Sequence, residues 1–412
     1  MAEQRFKTLH FISLFLLCAL SVQISESNQT PEFCYKGEYA GCRSPMTSKI
    51  LIKGRIVVNA HHQEIADVYV EDGIIVLVQS KIKAGDDVIV IDATGKYVMP
   101  GGIDSHTHLG MEFMGSETID DCFSDQAAAL VGGTTMHIDF ALPINGSLSA
   151  SFEAYPKKAR MACMDYGFHM AVTKWDEVVS RGMEIWVKEK VHVMSIDVME
   201  EIAKAQKSDQ EVVGEAVVSG LVLDDSALWD PDFTTAAKYV MSPPIREVGH
   251  ALCIDDFKKI PNGLNGIEER MHLIWDKMVE SGQISATDYV RVTNTECARV
   301  FNIYPRKGAI LAGFDADIII LNPNASFKIL SSSHHSRSDI NVYEGRKGKG
   351  KVEVTIVGGN VVWENGELKV EPGSGRYIDM PSFGHLFSGI GKADDVYLSS
   401  LRAPIHRVKS AT

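Results

Sequence analysis

The sequence predicts an α/β protein in which an incomplete (β/α) barrel is joined to a small β-sandwich. Short β-branched runs separated by turn residues fill 49–98 and return over 307–374, which is typical of antiparallel strands. Between them, over 99–306, strand-like and helix-like segments alternate, as in a (β/α) barrel. This middle region is shorter than the ~250 residues that such a barrel usually needs, and we expect five barrel strands instead of eight.

The elements follow from local patterns in chain order. In the predicted sandwich, we expect a strand, a turn and a strand over 307–321, and a hairpin over 354–363 that turns at Gly358-Gly359. Barrel strands are expected at 97–99, 134–140, 166–172, 191–194 and 238–241. Helices are expected at 175–190, 196–207, 268–281 and 288–301.

Composition narrows the class of function. The chain has 412 residues, of which 45% are hydrophobic and 23% are charged, as in an ordinary globular protein with a large core. Its net charge of −13 argues against a nucleic-acid partner and favours a small-molecule enzyme or a protein-binding role.

The N-terminus has the pattern of a secretory signal peptide over 1–27. Arg5 and Lys7 precede an apolar stretch that is too short for a comfortable membrane span, and a small-x-small cleavage signal ends at Ser27. We expect the endoplasmic reticulum or the extracellular space, with the cytoplasm as the alternative compartment. An uncleaved signal anchor is the alternative for the segment itself, and no other stretch predicts a membrane span.

Residues 28–48 are predicted to form a linker. Cys34 and Cys42 within it flank a short glycine-containing loop and are placed to pair if the chain enters an oxidising compartment. The cysteines beyond the linker have no metal-like spacing, and we expect buried thiols.

His106 and His108 are the most informative residues of the chain. They follow a short apolar run and Pro100-Gly101-Gly102, so we expect them at the end of a strand. Two residues at i and i+2 of a strand point to the same side, which lets both imidazoles reach one metal ion. Imidazole suits zinc and similar divalent ions. The alternative is a pair of histidines in a turn, as we read His61-His62 and His334-His335.

Several segments together resemble the dihydropyrimidinase and hydantoinase family of the amidohydrolase superfamily, from about Lys49 to Ile405. The residues that carry the resemblance are 101–108 (GGIDSHTH), 191–195 (VHVMS), 240–246 (VMSPPIR), 260–263 (IPNG), 268–271 (EERM), 307–317 and 333–339 (SHHSRSD). The resemblance implies a metal-dependent hydrolase of TIM-barrel type with two zinc ions. It also implies homotetramers, with 375–412 as an oligomerisation extension whose part around 377–390 reaches a neighbouring subunit.

The resemblance also assigns residues. His106 and His108 match ligands of the first metal, and His192 matches the ligand on the sixth strand. Ser242 and Asn262 match positions that hold the amide of a small cyclic substrate. We interpret His137 and Asp139, on a barrel strand, as packing residues or as supports for the metal ligands.

The chain departs from the family pattern in two places. Between Val172 and His192 there is room for one helix, whereas a strand–helix–strand unit needs about 30 residues. The family's bridging carbamylated lysine and fifth-strand histidine therefore have no counterpart. The family's proton-shuttling aspartate is absent between Pro244 and Glu268, so no catalytic residue is identified. The missing parts are whole blocks with intact flanks, as skipped exons or a faulty gene model would produce.

The family resemblance and the missing ligand positions together predict two alternative functions. The first is zinc-dependent ring opening of 5,6-dihydrouracil and dihydrothymine to N-carbamoyl-β-amino acids in pyrimidine catabolism, with at most one zinc bound and with activity reduced or absent. The alternative is a non-catalytic relative that serves in oligomerisation or as a scaffold.

Overall fold

The computed structural model describes residues 16–18, 49–110, 112–113, 116–141, 154–172, 190–193, 204, 207, 213–239 and 266–381. The strands are β1 (Leu16–Cys18), β2 (Ile50–Val58), β3 (Gln63–Glu71), β4 (Ile74–Gln79), β5 (Ile89–Asp92), β6 (Tyr97–Pro100), β7 (Gly102–Thr107), β8 (Glu112–Phe113), β9 (Ser116–Glu117), β10 (Thr134–Ala141), β11 (Asp165–Val172), β12 (Lys190–Val193), β13 (Val213–Ala216), β14 (Ile318–Lys328), β15 (Lys347–Val357), β16 (Asn360–Glu364) and β17 (Glu367–Leu368). The α-helices are α1 (Cys122–Gly132), α2 (Val218–Val222), α3 (Phe233–Ala237), α4 (Arg270–Ile274), α5 (Ala286–Val290) and α6 (Glu296–Val300).

A nine-stranded sheet joins the two ends of the chain. Its strand order is β17-β16-β15-β14-β6-β2-β3-β4, and β5 pairs with β2. The ends meet where β14 runs antiparallel to β6, with Ile318 opposite Pro100. The predicted hairpin turn at Gly358-Gly359 is confirmed, since Val357 pairs with Asn360 and both glycines have positive φ, 51° and 75°. Such a tight turn requires positive φ at both central residues, which glycine adopts without strain.

Successive residues of β14 enter two different cores. Ile318 and Ile320 pack with residues of β2, β3 and β4, whereas Ile319 and Leu321 pack with helical residues such as Trp275. All four β14 side chains are fully buried. Side chains of a strand alternate between faces, so an unbroken apolar run indicates a strand covered on both sides. One face of the sheet therefore closes the sandwich core, and the other supports the barrel region.

Five parallel strands lie in the barrel region of the described residues. Strands β7, β10 and β11 form one parallel sheet, with β1 antiparallel on its outer edge, and β12 pairs with β13 in a second sheet. The number agrees with the expectation from sequence, but two members differ. The strand predicted at 97–99 is β6 of the nine-stranded sheet, and β7, which begins after it at Gly102, is the barrel strand instead. β13 takes the place of the strand predicted at 238–241. Its short Val213–Ala216 run carried no turn signal strong enough to be recognised.

Two predicted strands are wrong in the residues that the structure describes. Lys238 and Tyr239 continue α3 as a turn, because Asp232 caps that helix and their backbone N–H groups donate to Thr235 and Ala236. The predicted strand at 307–311 is also absent, since these residues form bends instead. Side chains occupy its backbone groups instead of a neighbouring strand: Asn59 bonds both the N–H and the carbonyl of Ile310, and the Thr295 hydroxyl donates to the carbonyl of Gly308.

The later predicted helices are confirmed, with a local irregularity in each. α4 continues into a π-helical turn over Trp275–Val279, and α5 and α6 are joined by another over Arg291–Thr295. The predicted helix at 175–190 lies outside the described residues except at Lys190, where β12 begins. Within 196–207 only 204 and 207 are described, both as helical.

Two further expectations concern cysteines and membranes. Cys122 and Cys163 are buried free thiols, as predicted, and Cys297 is partly buried. Cys34 and Cys42 lie outside the described residues. Among the residues described, no helix combines the length and apolar character that a membrane crossing needs.

Candidate functional site

The predicted histidine pair lies at the carboxyl end of β7, beside the end of β10. His106 is partly exposed and His108 is exposed, whereas Ser105 and Thr107 are buried. This alternation confirms that the two imidazoles share one side of the strand and that Thr107 occupies the other. In a barrel of parallel strands this end is the face where active sites form.

The geometry of the pair suits one metal ion. The two ring centroids are 5.2 Å apart and the ring planes cross at 79°. Two imidazoles on one tetrahedral zinc ion, with Zn–N bonds of about 2.0–2.1 Å, place their centroids roughly 5 Å apart. The Phe140 ring packs against both, with centroids 4.4 Å from His106 and 5.0 Å from His108. The residues present therefore fit two of the ligands that a zinc ion requires.

A buried carboxyl group supports the turn that carries the pair. Oδ1 of Asp139 accepts hydrogen bonds from the Thr107 hydroxyl and from the backbone N–H of Leu109, each at 3.0 Å. Burial raises the pKa of Asp139 to about 7, against the lowering effect of these hydrogen bonds.

His137 lies beside the same threonine, behind the histidine pair. Its Nδ1 is 3.0 Å from Oγ1 of Thr107, and its Nε2 is 2.7 Å from Nε2 of Gln126. Burial lowers the pKa of His137 to about 3, so the ring is neutral at ordinary pH. Sequence reasoning anticipated supporting roles for His137 and Asp139 but missed Gln126. The sequence signal for it was a glutamine directly before three alanines, and the structure shows that this glutamine is fully buried.

The structure gives little or no position for the other predicted site residues, His192, Ser242 and Asn262. His192 lies on β12, which belongs to a different sheet from β7 among the described residues, and its side chain is not described. Ser242 and Asn262 lie outside the described residues. The assignment of His192 as a ligand and of Ser242 and Asn262 as substrate contacts therefore stays a prediction.

A second group of potential ligands lies at the opposite, amino end of the strands. Asp165, Asp315 and Asp317 are buried, with carboxylate oxygens close enough to hold an ion. Cations of the protein already occupy the space between them. Lys307 Nζ is 2.7 Å from Asp165 and 3.3 Å from Asp315, and it also contacts Asp317. Arg376 forms two hydrogen bonds with Asp165, of 2.8 and 3.1 Å.

This second group is therefore structural, and we assign no metal to it. Lys307 and Arg376 hold the pKa of Asp165 at about 2 despite its burial. Asp165 begins β11, Asp317 precedes β14, and Arg376 belongs to the C-terminal segment. The cluster thus ties the barrel sheet, the nine-stranded sheet and the C-terminal segment together. Sequence reasoning did not predict it.

Comparison of sequences places the chain among dihydropyrimidinases. A model of the amidohydrolase family matches residues 247–362. The dihydropyrimidinase of Arabidopsis thaliana is 55% identical over 522 residues, which covers 97% of this chain and 98% of the relative. The aligned region is longer than the 412 residues of this chain, so the relative carries blocks that have no counterpart here. The dihydropyrimidinase of Rattus norvegicus is 32% identical and covers 81% of this chain and 89% of its own length.

Comparison of structures gives the same result. The dihydropyrimidinase from Brevibacillus agri superimposes with a TM-score of 0.75 at 30% identity, over 82% of this chain and 99% of that one. A D-hydantoinase from a Bacillus species superimposes with a TM-score of 0.74 at 28% identity, over 81% and 100%. The fold is thus the (β/α) barrel with a β-sandwich, incomplete in this chain. With a relative 55% identical along nearly the whole of both chains, this chain belongs to the dihydropyrimidinase family of amidohydrolases.

Proposed function

We propose that this chain is a dihydropyrimidinase-type cyclic amidohydrolase that opens 5,6-dihydrouracil and dihydrothymine to N-carbamoyl-β-amino acids, with strongly reduced turnover. The observation that carries the proposal is the His106–His108 pair, set at the catalytic end of a barrel in a chain 55% identical to a plant dihydropyrimidinase. This reaction belongs to pyrimidine catabolism.

Ring opening adds one water molecule across the amide C–N bond. The hydroxyl of water joins the carbonyl carbon, and the ring nitrogen leaves with a proton. Zinc, when bound, supplies a water molecule of lowered pKa. His106 and His108 would hold the ion, with His192 as the proposed third ligand. Ser242 and Asn262 are the proposed contacts to the ring amide and set its orientation.

Reduced turnover follows from what the chain lacks. The sequence offers no counterpart of the family's bridging lysine, fifth-strand histidine or proton-shuttling aspartate. The unmatched blocks of the Arabidopsis relative support this inference. Loss of general acid–base help alone typically costs about 10²–10⁴ in rate. The losses need not add, because groups of one site act as a unit. We expect turnover at least several orders of magnitude below that of the Arabidopsis enzyme.

The first experiment measures metal and activity on the purified chain. We expect at most one zinc per chain by elemental analysis, bound weakly, and little hydrolysis of dihydrouracil in the presence of zinc and bicarbonate. The His108→Ala variant should lose zinc, whereas His62→Ala, which removes an imidazole from a loop near Glu64, should keep it. Two tightly held zinc ions, or robust ring opening abolished by His108→Ala, would contradict the proposed ligand set.

The alternative function is that of a non-catalytic relative with an oligomerisation or scaffold role, which the missing ligand blocks favour. The family resemblance suggests a homotetramer. The start of the C-terminal segment packs against its own subunit, because Ile378 is buried and its N–H donates to the backbone carbonyl of Tyr166 at 2.8 Å. Ile378 and Met380 are thus buried within the chain, whereas Tyr377 is 44% exposed, so the proposed reach to a neighbour falls on Tyr377 and on residues after 381. Light scattering of the full chain tests this. A monodisperse tetramer with no ring opening supports the scaffold role, and aggregation indicates that the shortened barrel leaves unpaired edges.

The compartment is a separate proposal. We infer that the signal peptide over 1–27 directs the chain into the secretory pathway, because basic residues precede its apolar stretch. Its removal would take away β1, the outer neighbour of β11 in the described sheet. Mass spectrometry of the mature N-terminus checks this, and a protein that begins at Met1 would contradict cleavage.

A further inference from the structure

A buried chain of hydrogen bonds runs from α1 to the turn that carries the histidine pair. It starts at Gln126, whose Oε1 accepts the backbone N–H groups of Cys163 at 2.6 Å and Met164 at 3.0 Å. Two donors at the oxygen fix the orientation of the amide, because the opposite orientation would set its NH₂ group against two N–H groups. The NH₂ group therefore donates to Nε2 of His137.

The orientation of the Gln126 amide fixes the donor and the acceptor in each of the hydrogen bonds that follow. A His137 ring that accepts at Nε2 and is neutral carries its proton on Nδ1, and donates it to Oγ1 of Thr107 at 3.0 Å. The Thr107 hydroxyl, having accepted that bond, donates its own proton to Oδ1 of Asp139 at 3.0 Å. All four side chains are buried. A fully satisfied buried network of this kind has one arrangement and is costly to disturb.

The hydrogen-bond chain passes through Thr107, the residue between the two proposed ligands, and ends at Asp139. Thr107 and Asp139 face each other across the β7–β10 ladder. Asp139 also accepts the N–H of Leu109, directly after His108, at 3.0 Å. Its neighbour Phe140 packs against both imidazoles on the opposite side of the strand. A rotation of Thr107 about the strand axis would therefore swing both imidazoles away from a common ion.

We propose that the Gln126–His137–Thr107–Asp139 hydrogen-bond chain positions His106 and His108 for metal binding. Thr107 is the positioning residue, and it acts through the backbone of the turn instead of through contact with the metal or the substrate. The inference rests on the proposed zinc site, and it adds the interaction that sets the geometry of that site.

The test compares substitutions that differ only in the hydroxyl group. Thr107→Val keeps the shape of the side chain but leaves His137 Nδ1–H without its acceptor, and Oδ1 of Asp139 keeps the Leu109 N–H and loses the Thr107 hydroxyl. The expected result is a loss of about 10–100-fold in zinc affinity, measured by chelator competition, as is typical when a partner behind a metal ligand is removed. Thr107→Ser restores the hydroxyl, and most of the affinity should return.

A matched control separates this effect from general damage to the fold. Thr134 is fully buried on β10, and its hydroxyl has no hydrogen-bond partner among the described residues. Thr134→Val should leave zinc affinity unchanged. The visible spectrum of bound cobalt(II) gives a second readout, since a distorted pair of imidazoles changes the band of a tetrahedral ion, whereas a loss of stability alone does not.

The outcomes also separate this inference from the proposed function. If His108→Ala binds zinc as tightly as the parent chain, the proposed zinc site is wrong. If His108→Ala loses zinc while Thr107→Val retains the parent affinity and cobalt spectrum, the zinc site stands and the positioning role is overturned. If Thr134→Val loses as much affinity as Thr107→Val, the hydroxyl of Thr107 has no special role and the inference is again overturned.

Discussion

Removal of the Lys307 ammonium group should strongly destabilise the folded chain. Lys307 is almost fully buried and is the cation shared by Asp165, Asp315 and Asp317. Lys307→Met keeps an unbranched side chain but leaves buried carboxylates without their nearest cation. Breaking a buried ion pair by removing one partner typically costs about 3–5 kcal/mol. We expect a decrease of that size in the free energy of unfolding at pH 7.

The matched control is Arg306→Met. Arg306 also pairs with Asp315, at 3.1 Å, but 45% of its side chain is exposed. Exposed pairs contribute roughly 0–1 kcal/mol, so this variant should lose little. Urea unfolding followed by circular dichroism measures both. Burial already raises the pKa of Asp317, and loss of Lys307 raises it further. The Lys307→Met deficit should therefore shrink as the pH falls, and a deficit no larger than that of Arg306→Met would refute the reasoning.

Two further predictions concern packing and pH. A Cβ at Gly132 would lie 1.9 Å from the carbonyl oxygen of Glu268, so Gly132→Ala should lower the free energy of unfolding by about 1–3 kcal/mol. Gly220→Ala is the control, because a Cβ there would meet nothing within 4 Å and stability should not fall. Equal losses in the two variants would contradict the packing argument. Burial raises the pKa of Glu269 from 4.5 to about 7. Since the folded state then binds more protons than the unfolded state, stability falls as the pH rises from about 4.5 to 7. In Glu269→Gln the amide oxygen still accepts from Asn341, but no proton is lost, so the decrease in unfolding free energy between pH 4.5 and 7 should be smaller by roughly 3 kcal/mol. An unchanged pH dependence would show that Glu269 is not the group responsible.

Only the part of the candidate site formed by neighbouring residues, the His106–His108 pair, was predictable from the sequence. His106 and His108 share one side of β7 because the period of a strand is two residues, although the glycines before them separate β6 from the start of β7 and do not end the strand that carries the pair. The partners of Gln126 were not predictable, since His137 lies on a different element, β10, and the orientation of the amide depends on backbone groups at 163–164. Nothing in the pattern around Gln126 says which polar group will meet it.

The fold likewise has parts that local sequence patterns predict and parts that depend on residues distant in sequence. The strands at both ends, their turns and their shared sheet follow from β-branched runs and glycine positions. The strand predicted at 307–311 failed because the backbone N–H and carbonyl of Ile310 bond to the side chain of Asn59, which is distant in sequence. The strand predicted at 238–241 failed over 238–239, where a capping aspartate six residues earlier sets a helix. In both cases a polar interaction overrode an apolar local pattern.

The sequence by itself determined the alternation of strands, the hairpin at Gly358-Gly359, the family and the histidine pair. These depend on periodicity and backbone preference, which act over a few residues. Only the tertiary structure decided which buried polar groups meet: Lys307 with three aspartates, and Thr107 with His137 and Asp139. A buried polar group must find a partner wherever the chain brings one within hydrogen-bond distance, and that partner is fixed by the packing of whole elements instead of by its neighbours in sequence.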